Sequence, residues 1–183
     1  MATSTRDAIL ETAARLFVER GYAGTSVRDI AAELGIANPS LYHHFPSKAD
    51  ILAELLAEPM GRVQAAVVEA EGLTGDDRTR RIIGGLLEAL EVHSGVAVMA
   101  LHDAGAVPAA QRDLAIAQRS TIDELLGDGV ADDHRQLRIT MAIGAVEGVV
   151  TDLLATSPDQ DAFAERLRSV REDVVEAVLG ILR

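Results

Sequence analysis

The sequence predicts an all-α protein of about nine helices, with an N-terminal three-helix domain followed by a larger helical domain. Three observations support this fold class. Apolar residues recur at helical spacing along the 183 residues, no stretch shows the period of two that is typical of strands, and glycine, proline and capping residues separate the periodic segments. We place the domain boundary near residue 50, which gives domains of residues 1–50 and 51–183.

The most informative stretch runs from Thr25 to Lys48 and predicts two short helices joined by a sharp turn. Ser26 and Asp29, three residues apart, form a capping box at the start of the first helix. Gly35 follows the last apolar residue of that helix, where a left-handed backbone is needed and glycine adopts it without steric cost. The residues that share the inward face are Val27, Ile30, Ala31 and Leu34.

The second helix of this stretch opens after a three-residue turn. Asn38 is a good N-cap, and Pro39 suits the first helical position, where its missing N–H is not needed. Leu41 and Phe45 lie four residues apart and point inward. This layout predicts a helix-turn-helix, whose second helix enters the major groove of DNA.

Other signals set the remaining helix boundaries. Gly21 ends the first helix, Ser47 caps the fourth, and Pro59 should kink or interrupt that fourth helix. Ser157 and Pro158 are expected as the N-cap and first residue of the last helix. The predicted helices of the larger domain after the fourth helix are residues 77–93, 95–104, 108–126, 132–156 and 158–182.

The composition excludes several classes of protein. There is no cysteine, so disulfides, thiolate zinc sites and cysteine nucleophiles are excluded. The N-terminal residues lack the apolar run of a signal peptide. The best membrane-span candidate, Met141 to Ala155, carries Glu147 and Asp152, so no span is predicted. We therefore expect a cytoplasmic protein.

The formal net charge of −12 argues at first against a nucleic-acid partner. Its distribution weakens that argument. Residues 1–50 hold five basic and six acidic side chains, whereas the remainder holds 12 basic and 23 acidic ones. A nearly neutral domain can still bind DNA, because phosphate contacts depend on where the donors are placed.

Polar side chains of the helix-turn-helix are candidates for DNA contacts. Ser26 and the N–H groups at its helix start can hold a phosphate, and Arg28 is placed for a phosphate or a guanine edge. The candidates in and after the second helix are Asn38, Ser40 and His43 for bases, and Tyr42, His44 and Lys48 for phosphates. The alternative for each is an exposed or capping residue without a DNA contact.

An N-terminal helix followed by T-S-V-R-D-I-A-A-E-L-G and then L-Y-H-H-F-P-S-K-A-D-I-L resembles the DNA-binding domain of the tetracycline-repressor-like (TetR) family. These motifs cover roughly the first 55 residues; beyond them the resemblance is one of helical architecture and length. The resemblance implies a homodimer on a palindromic double-stranded operator and no cofactor. By matching position it supports Thr25, Arg28, Ser40, Tyr42, His44 and Lys48. Many relatives carry a small residue or glycine where Asn38 and Pro39 stand here.

The last two predicted helices are candidates for the dimer interface. The penultimate one is apolar nearly all round, which is typical of a helix buried on several sides, and the last one has a single apolar face. In the family that the chain resembles, these helices form a four-helix bundle with the partner chain; the alternative is that they complete the monomer core. The expected interface residues are Val146, Val149, Val150, Leu153, Phe163, Leu167, Val170, Val174 and Val178.

The resemblance also implies a ligand pocket between Pro59 and about Leu154, with ordinary core packing as the alternative. The candidate lining residues are Met60, Leu86, Leu90, Met99, His102, Leu114, Met141, Ala145 and Glu147. No aromatic residue lies between Phe45 and Phe163. A stacking or cation–π cage is therefore not expected, and a mainly aliphatic small-molecule effector fits better.

An enzyme or a metal-binding protein is the less favoured alternative. His93, His102, Asp103 and His134 lie on three predicted segments, without the pairing of an H-E-x-x-H helix. Gly84-Gly85 lies in a helical pattern and predicts close packing rather than a phosphate loop. We interpret the chain as a DNA-binding transcriptional regulator, not an enzyme: a homodimeric repressor released from its operator by a small ligand. The alternative is a regulator with no small-molecule ligand.

Overall fold

The computed structural model describes residues 4–91, 95–97, 109–127 and 133–183, with the backbone alone for residues 109–112, 114, 115 and 118. Eight helices have defined bounds in these ranges: α1 (Thr5–Gly24), α2 (Val27–Leu34), α3 (Asn38–His44), α4 (Lys48–Ala70), α5 (Gly75–Leu90), α6 (Ala109–Gly127), α7 (Asp133–Thr156) and α8 (Gln160–Leu182). Residues 95–97 are helical as well, and no described residue lies in a strand. The prediction of an all-α chain of about nine helices is confirmed.

The N-terminal helices pack around one cluster of buried apolar side chains. α1 contacts α2 and α4, and α2 contacts α3, so the first four helices form one unit. This first cluster consists of Ile9, Ala13, Leu16, Phe17, Ile30, Ala31, Leu41, Phe45, Ile51, Leu52, Leu55, Leu56 and Val96. The inward positions expected for Leu41 and Phe45 are confirmed, because both side chains belong to it.

Two glycines end the first two helices as expected. Gly21 has φ 73° and ψ 159°, a backbone that breaks the helical path of α1 before its last residues. Gly35 has φ 66° and ψ 26°, the left-handed conformation that closes α2. The capping box of Ser26 and Asp29 is also present. The sharp turn into α3 therefore rests on residues that the sequence already marks.

Two helices begin at other residues than expected. Ala37, with an extended backbone, occupies the N-cap of α3, so Asn38 is the first helical residue instead of the cap. The N-cap of α8 is Asp159, whose carboxylate accepts the N–H of Ala162 at 2.8 Å. Ser157 belongs to the end of α7, where its hydroxyl donates to a main-chain carbonyl. A carboxylate at a helix N-terminus is favoured by the helix dipole, which the expectation of a serine cap overlooked.

Helix α4 continues through Pro59, so of the kink or interruption expected there the interruption does not occur. Pro59 is buried within the helix. At 23 residues, α4 is about 35 Å long at the usual rise per residue. Its first half supplies Leu52 and Leu55 to the first cluster, and its second half supplies Val67 and Ala70 to a second cluster. One continuous helix therefore joins the two cores.

The second cluster lies among α4, α5, α6, α7 and α8 and holds most of the remaining core. Helices α4 and α5 approach each other closely, because a Cβ placed on Gly85 would overlap the Cβ of Ala66. This confirms a packing role for Gly85. Helix α8 packs on α7 and α5. Ion pairs such as Arg80 with Glu172, at 2.8 Å, run along the α5–α8 contact.

Within the described residues, α7 is the one helix long and apolar enough to cross a membrane by length and composition. A third of its most apolar window is buried inside the protein. Its buried residues, among them Ile139, Ala142 and Val150, belong to the second cluster. This is the position of a core helix in a helical bundle.

The short helical segment at residues 95–97 contacts the N-terminal helices. Val96 is 1% exposed and packs in the first cluster. A Cβ placed on Gly95 would lie 2.5 Å from Cγ2 of Val18 on α1. The chain that follows α5 therefore returns to the N-terminal unit and contributes a side chain to its core.

Candidate nucleic-acid interface

The helix α3 is held by its inner face and presents polar side chains on its outer face. Leu41 and Phe45 anchor it, at 0% and 2% exposure. The five polar candidates on it are Asn38 and Ser40, which are half-buried, and Tyr42, His43 and His44, which are exposed. A short helix with this division can enter a groove of DNA without unpacking the domain.

Arg28 is the arginine of the helix-turn-helix, and its side chain is exposed. Other basic groups nearby are already used: Arg6 pairs with Glu54, and Arg15 pairs with Glu33 at 2.7 Å. In the part of the chain that the structure describes, Arg28 makes no ion pair. It is therefore available for a phosphate or a base edge.

The N-terminus of α2 is occupied by its own capping box. The N–H of Ser26 donates to Oδ2 of Asp29 at 2.8 Å, and the N–H of Asp29 donates to Oγ of Ser26 at 3.2 Å. These hydrogen bonds from Ser26 hold the pKa of Asp29 below its ordinary value. The ionised carboxylate lies where the sequence predicted a phosphate, so a phosphate contact by Ser26 would require the box to open.

Thr25 has a structural role in this geometry. Its side chain is 1% exposed, and its hydroxyl lies 3.0 Å from the carbonyl oxygens of both Leu16 and Gly21. The hydroxyl therefore ties the end of α1 to the start of α2. The DNA contact expected for Thr25 from the resemblance stays a prediction that its burial does not favour.

Lys48, at the first residue of α4, points back toward the corner between α1 and α2. Its Nζ donates to the carbonyl oxygens of Tyr22 and Thr25, both at 2.7 Å. The same Nζ lies 4.1 Å from the centre of the Tyr22 ring. Burial lowers the pKa of Lys48 from its ordinary value. The lysine expected at a phosphate is therefore engaged inside the domain.

The residues expected to line a ligand pocket lie in different surroundings. Met60 packs against the first cluster, whereas Leu86 and Leu90 belong with the second. Met141 is 55% exposed, and the carboxylate of Glu147 lies 3.8 Å from Arg119 on the surface. Met99, His102 and the side chain of Leu114 lie outside the described residues. The ligand pocket therefore stays a prediction.

The expected dimer residues divide into two groups. An open cleft of about 550 Å³, the α7–α8 groove, is lined by Ala145, Gly148, Val149, Asp152, Leu153, Val170, Asp173, Val174, Ala177 and Val178. Five of the nine expected residues line it: Val149, Leu153, Val170, Val174 and Val178. The other four, Val146, Val150, Phe163 and Leu167, are buried in the second cluster. Ala145, a candidate for the ligand pocket, lines this groove.

The list of expected interface residues left out four outer residues of the groove: Gly148, Asp152, Asp173 and Ala177. All four are exposed in the single chain. A signal for them was present, because Gly148 with Asp152 and Asp173 with Ala177 each lie four residues apart on one helix. The list of expected interface residues held only larger apolar side chains, so these small and acidic residues were left out.

The histidines considered for a metal site are not assembled by the described residues. His134 is exposed on α7, and His93, His102 and Asp103 lie outside the described residues. Among the described residues, no group of three histidine, aspartate or glutamate side chains could hold a metal.

The pair α2 and α3, joined by a tight turn and exposing the outer face of α3, defines the class of this domain: it is a helix-turn-helix. Residues 9–55 match the family described as bacterial regulatory proteins, tetR family. The structure of the ketosteroid transcriptional regulator KstR2 of Mycobacterium tuberculosis matches 98% of this chain and 95% of its own, with a TM-score of 0.75 and 26% identity. AmtR of Mycobacterium smegmatis matches 99% of this chain and 87% of its own, with a TM-score of 0.75 and 25% identity. The N-terminal part of the chain thus matches the tetR family of bacterial regulatory proteins, and the whole chain shares the fold of TetR-family structures.

Two curated relatives agree with that assignment. The HTH-type transcriptional repressor KstR2 of Rhodococcus jostii (strain RHA1) is 42% identical over 98 residues, which are 51% of this chain and 47% of the relative. KstR2 of Mycolicibacterium smegmatis is 44% identical over 80 residues, which are 39% of each chain. The chain thus spans less than half the length of these relatives.

Proposed function

We propose that this protein is a sequence-specific DNA-binding transcriptional regulator, a homodimeric repressor that acts in the cytoplasm on a palindromic operator. The observation that carries the proposal is the helix-turn-helix itself. Leu41 and Phe45 fix α3 from behind, while Tyr42 and His43 stay exposed. Arg28 on α2, exposed and without an ion pair in the described ranges, supplies a positive charge in the same helix-turn-helix.

Selection of bound DNA from a random pool tests the proposal. We expect a two-fold symmetric motif whose half-sites lie about 10 base pairs apart, or a multiple of that spacing. Affinity should fall steeply and linearly with salt on a double-logarithmic plot. Recovery of no symmetric motif would count against a dimeric reader.

Side-chain roles can be separated on the selected sequence. Arg28→Ala should weaken specific binding by about 1–3 kcal/mol and relax base preference if Arg28 reads a guanine. Tyr42→Phe should weaken binding to all sequences alike if the hydroxyl binds a phosphate. Ser40→Ala, on the same helix, should also relax base preference if the Ser40 hydroxyl contacts a base. Unchanged binding in all three variants would reject this set of contacts.

The dimer is proposed to form at the α7–α8 groove, with a second copy of the chain as the occupant. The groove is apolar at its base, through Leu153 and Val178, and small residues at its rim, Gly148 and Ala177, allow two backbones to approach. Whole-chain similarity to TetR-family structures supports this choice. In such a dimer, the two α3 helices would be spaced about 34–36 Å apart, one turn of DNA.

Sedimentation velocity tests the interface. Ala177→Arg places a long charged side chain on an exposed rim residue, so the single chain should fold while dimerisation and operator binding are lost. Glu165→Arg is the control, because Glu165 is exposed on α8 and does not line the groove. Equal dimerisation of both variants would place the interface elsewhere.

We propose further that a small, mainly aliphatic ligand releases the repressor. The second cluster is aliphatic apart from Phe163, which favours an aliphatic over a stacking ligand. The relative KstR2 is described as a ketosteroid regulator. A steroid would fit an aliphatic site, although the curated matches to KstR2 leave about half of this chain or more unmatched.

A regulator without a small-molecule ligand is the second candidate. The observation that favours it is the dispersal of the expected lining, since Met60 and Leu86 belong to different clusters and Met141 is exposed. Operator release should be measured with a fatty acyl compound, a steroid and an aromatic cation. Release by the fatty acyl compound or the steroid supports the ligand proposal. Release by the aromatic cation alone contradicts the aliphatic character of the proposed ligand. No release by any of the three favours a regulator without a small-molecule ligand.

A further inference from the structure

The side chain of Arg6 joins three helices of the N-terminal unit. Arg6 lies in the first turn of α1, and its two terminal nitrogens pair with the two carboxylate oxygens of Glu54 on α4. The central carbon of the same guanidinium lies 4.6 Å from the centre of the Phe45 ring. Phe45 is the residue that ends α3. One side chain therefore contacts both α4 and the end of the helix proposed to face DNA.

This pair of contacts uses two properties of the guanidinium group. The group is planar, so it can lie over an aromatic face, and its N–H donors form a fork that matches a carboxylate. The contact with Glu54 therefore restrains the plane that lies over Phe45. A cation–π contact adds to the attraction between the arginine and the ring.

The Phe45 ring is covered from two sides. It is 2% exposed and belongs to the first cluster. The Arg6 side chain, in contrast, is 45% exposed. Arg6 therefore lies on the solvent side of the ring, and the apolar cluster lies on the other side. Loss of the guanidinium would open one face of the ring to water and loosen the last anchor of α3.

The position of Phe45 matters for the outer face of α3. This helix has seven residues, and its two buried anchors are Leu41 and Phe45. The exposed side chains of Tyr42, His43 and His44 lie between these anchors in the sequence. Side chains that bind a partner must be held within about 0.5 Å and 10–20° of the productive geometry. A shift of the Phe45 anchor would therefore misplace the side chains proposed to contact DNA.

We propose that Arg6 is a positioning residue for DNA binding: it holds the end of α3 against α1 and α4, and it acts on binding through the Phe45 ring. The proposal rests on the proposed DNA-binding function, because it assigns Arg6 a part in that function. The sequence pattern of α1 does not mark this residue, since its partner Glu54 lies 48 residues away.

Two substitutions on α1 separate positioning from a simple loss of charge. Arg6→Met should lower the ratio of specific to non-specific DNA affinity by about threefold to tenfold, because one cation–π contact and one partly exposed ion pair are lost. Arg15→Met is the matched control. Arg15 is exposed on the same helix, pairs with Glu33 on α2 at 2.7 Å, and has no cation–π contact within the described ranges. It should change the ratio by less than about twofold. Equal losses in both variants would overturn the proposal.

A double-mutant cycle tests whether Arg6 acts through the ring. Phe45→Leu keeps an apolar anchor but removes the aromatic face. In that background, Arg6→Met should change the affinity ratio by less than about twofold, because the contact is already gone. A loss as large as in the wild-type background would overturn the proposal. So would a fall of about 0.9 in the slope of log affinity against log salt, which is the mark of a lost phosphate contact.

Glu54→Gln changes the charge in the opposite direction and keeps Arg6 in place. Removal of a negative charge should raise the affinity for DNA of any sequence. If Glu54 holds the guanidinium over Phe45, the ratio of specific to non-specific affinity should nevertheless fall, by less than in Arg6→Met. This variant also provides the comparison if Arg6→Met does not fold. A ratio equal to that of the wild type would contradict the part assigned to Glu54.

The contact can be observed directly in the free protein, because the chain has three phenylalanines. Labelling with fluorophenylalanine should give three fluorine signals, and Phe45→Leu identifies the one that belongs to Phe45. Arg6→Met should shift that signal, whereas Arg15→Met should leave it in place.

The combined results distinguish the two proposals. An unshifted Phe45 signal in Arg6→Met would overturn the contact, and a shifted signal with an unchanged affinity ratio would overturn the positioning role. Absence of DNA binding by the wild-type protein would remove the proposed function and this role with it. Wild-type binding together with an unaffected Arg6→Met variant would remove the role of Arg6 alone.

Discussion

Two neighbouring glycines of α5 should respond to alanine in opposite directions. A Cβ on Gly85 would lie closer than 3.0 Å to the Cβ of Ala66 on α4, nearer than real Cβ atoms approach. A Cβ on Gly84 would meet nothing within 4 Å. Both residues are helical, so both substitutions gain the same backbone term of about 0.5–1 kcal/mol. The difference between the two variants therefore measures the closeness of α4 and α5.

The expected loss of stability in Gly85→Ala follows from the atoms that the new methyl group would meet. The new methyl group meets a Cβ attached directly to the backbone of α4, so no flexible side chain can yield and the helices must separate. Overpacking of this kind costs about 1–3 kcal/mol, and the severity of the overlap favours the upper end. After the backbone gain, we expect a net loss of about 2 kcal/mol. For a protein of this size that lowers the melting temperature by about 4–8 °C.

Urea unfolding at a fixed protein concentration is the assay, because a dimer's stability depends on concentration. Gly84→Ala should raise the midpoint, and Gly85→Ala should lower it. The double variant Ala66→Gly with Gly85→Ala moves one methyl group across the same contact, so it should recover to within about 1 kcal/mol of wild type. Equal stabilisation by both single variants would refute the close approach of α4 and α5.

Three further substitutions test contacts near the helix-turn-helix. Gly95→Ala should destabilise the protein by about 1–2 kcal/mol in urea unfolding, because its Cβ would lie 2.5 Å from Val18, and Val18→Ala in the same chain should relieve most of that loss. Thr25→Val should cost about 1–2 kcal/mol in the same assay, because two main-chain carbonyls lose a buried hydroxyl donor; wild-type stability would reject that role. The capping box lowers the pKa of Asp29 in the folded protein. Its stabilisation is therefore present above the unfolded pKa near 4 and is lost as pH falls through the folded pKa. In Ser26→Ala, the free energy of unfolding should therefore fall less at acid pH than in wild type. A fall identical to that of wild type would show that the box contributes nothing.

Features whose partners lie within a few residues were predictable from the sequence. The capping box of Ser26 and Asp29 and the left-handed Gly35 are set by neighbouring residues, and the structure has both. The same holds for the inward faces of Leu41 and Phe45. Local patterns were therefore enough to predict the helix-turn-helix, apart from a shift of one residue at the start of α3.

Features that depend on distant partners were not predictable in the same way. Nothing near Lys48 in the sequence shows that it reaches back over more than 20 residues to Tyr22 and Thr25. Along α7, apolar residues occur nearly all round, so their periodicity does not say which face turns inward. Packing against α8 decides that Val150 is buried and Met141 is exposed. The ligand pocket and the interface accordingly stay predictions.

The packed core of the N-terminal domain includes Val96, which lies outside the range of that domain in the sequence. The family match ends at residue 55, yet the core of the domain is completed by a side chain about 40 residues further on. A fragment cut after residue 55 would lack two side chains of that core, Leu56 and Val96. The residues that match the family therefore form an incomplete domain. Transferred alone to another protein, they should need a substitute for Val96 to regain their native stability.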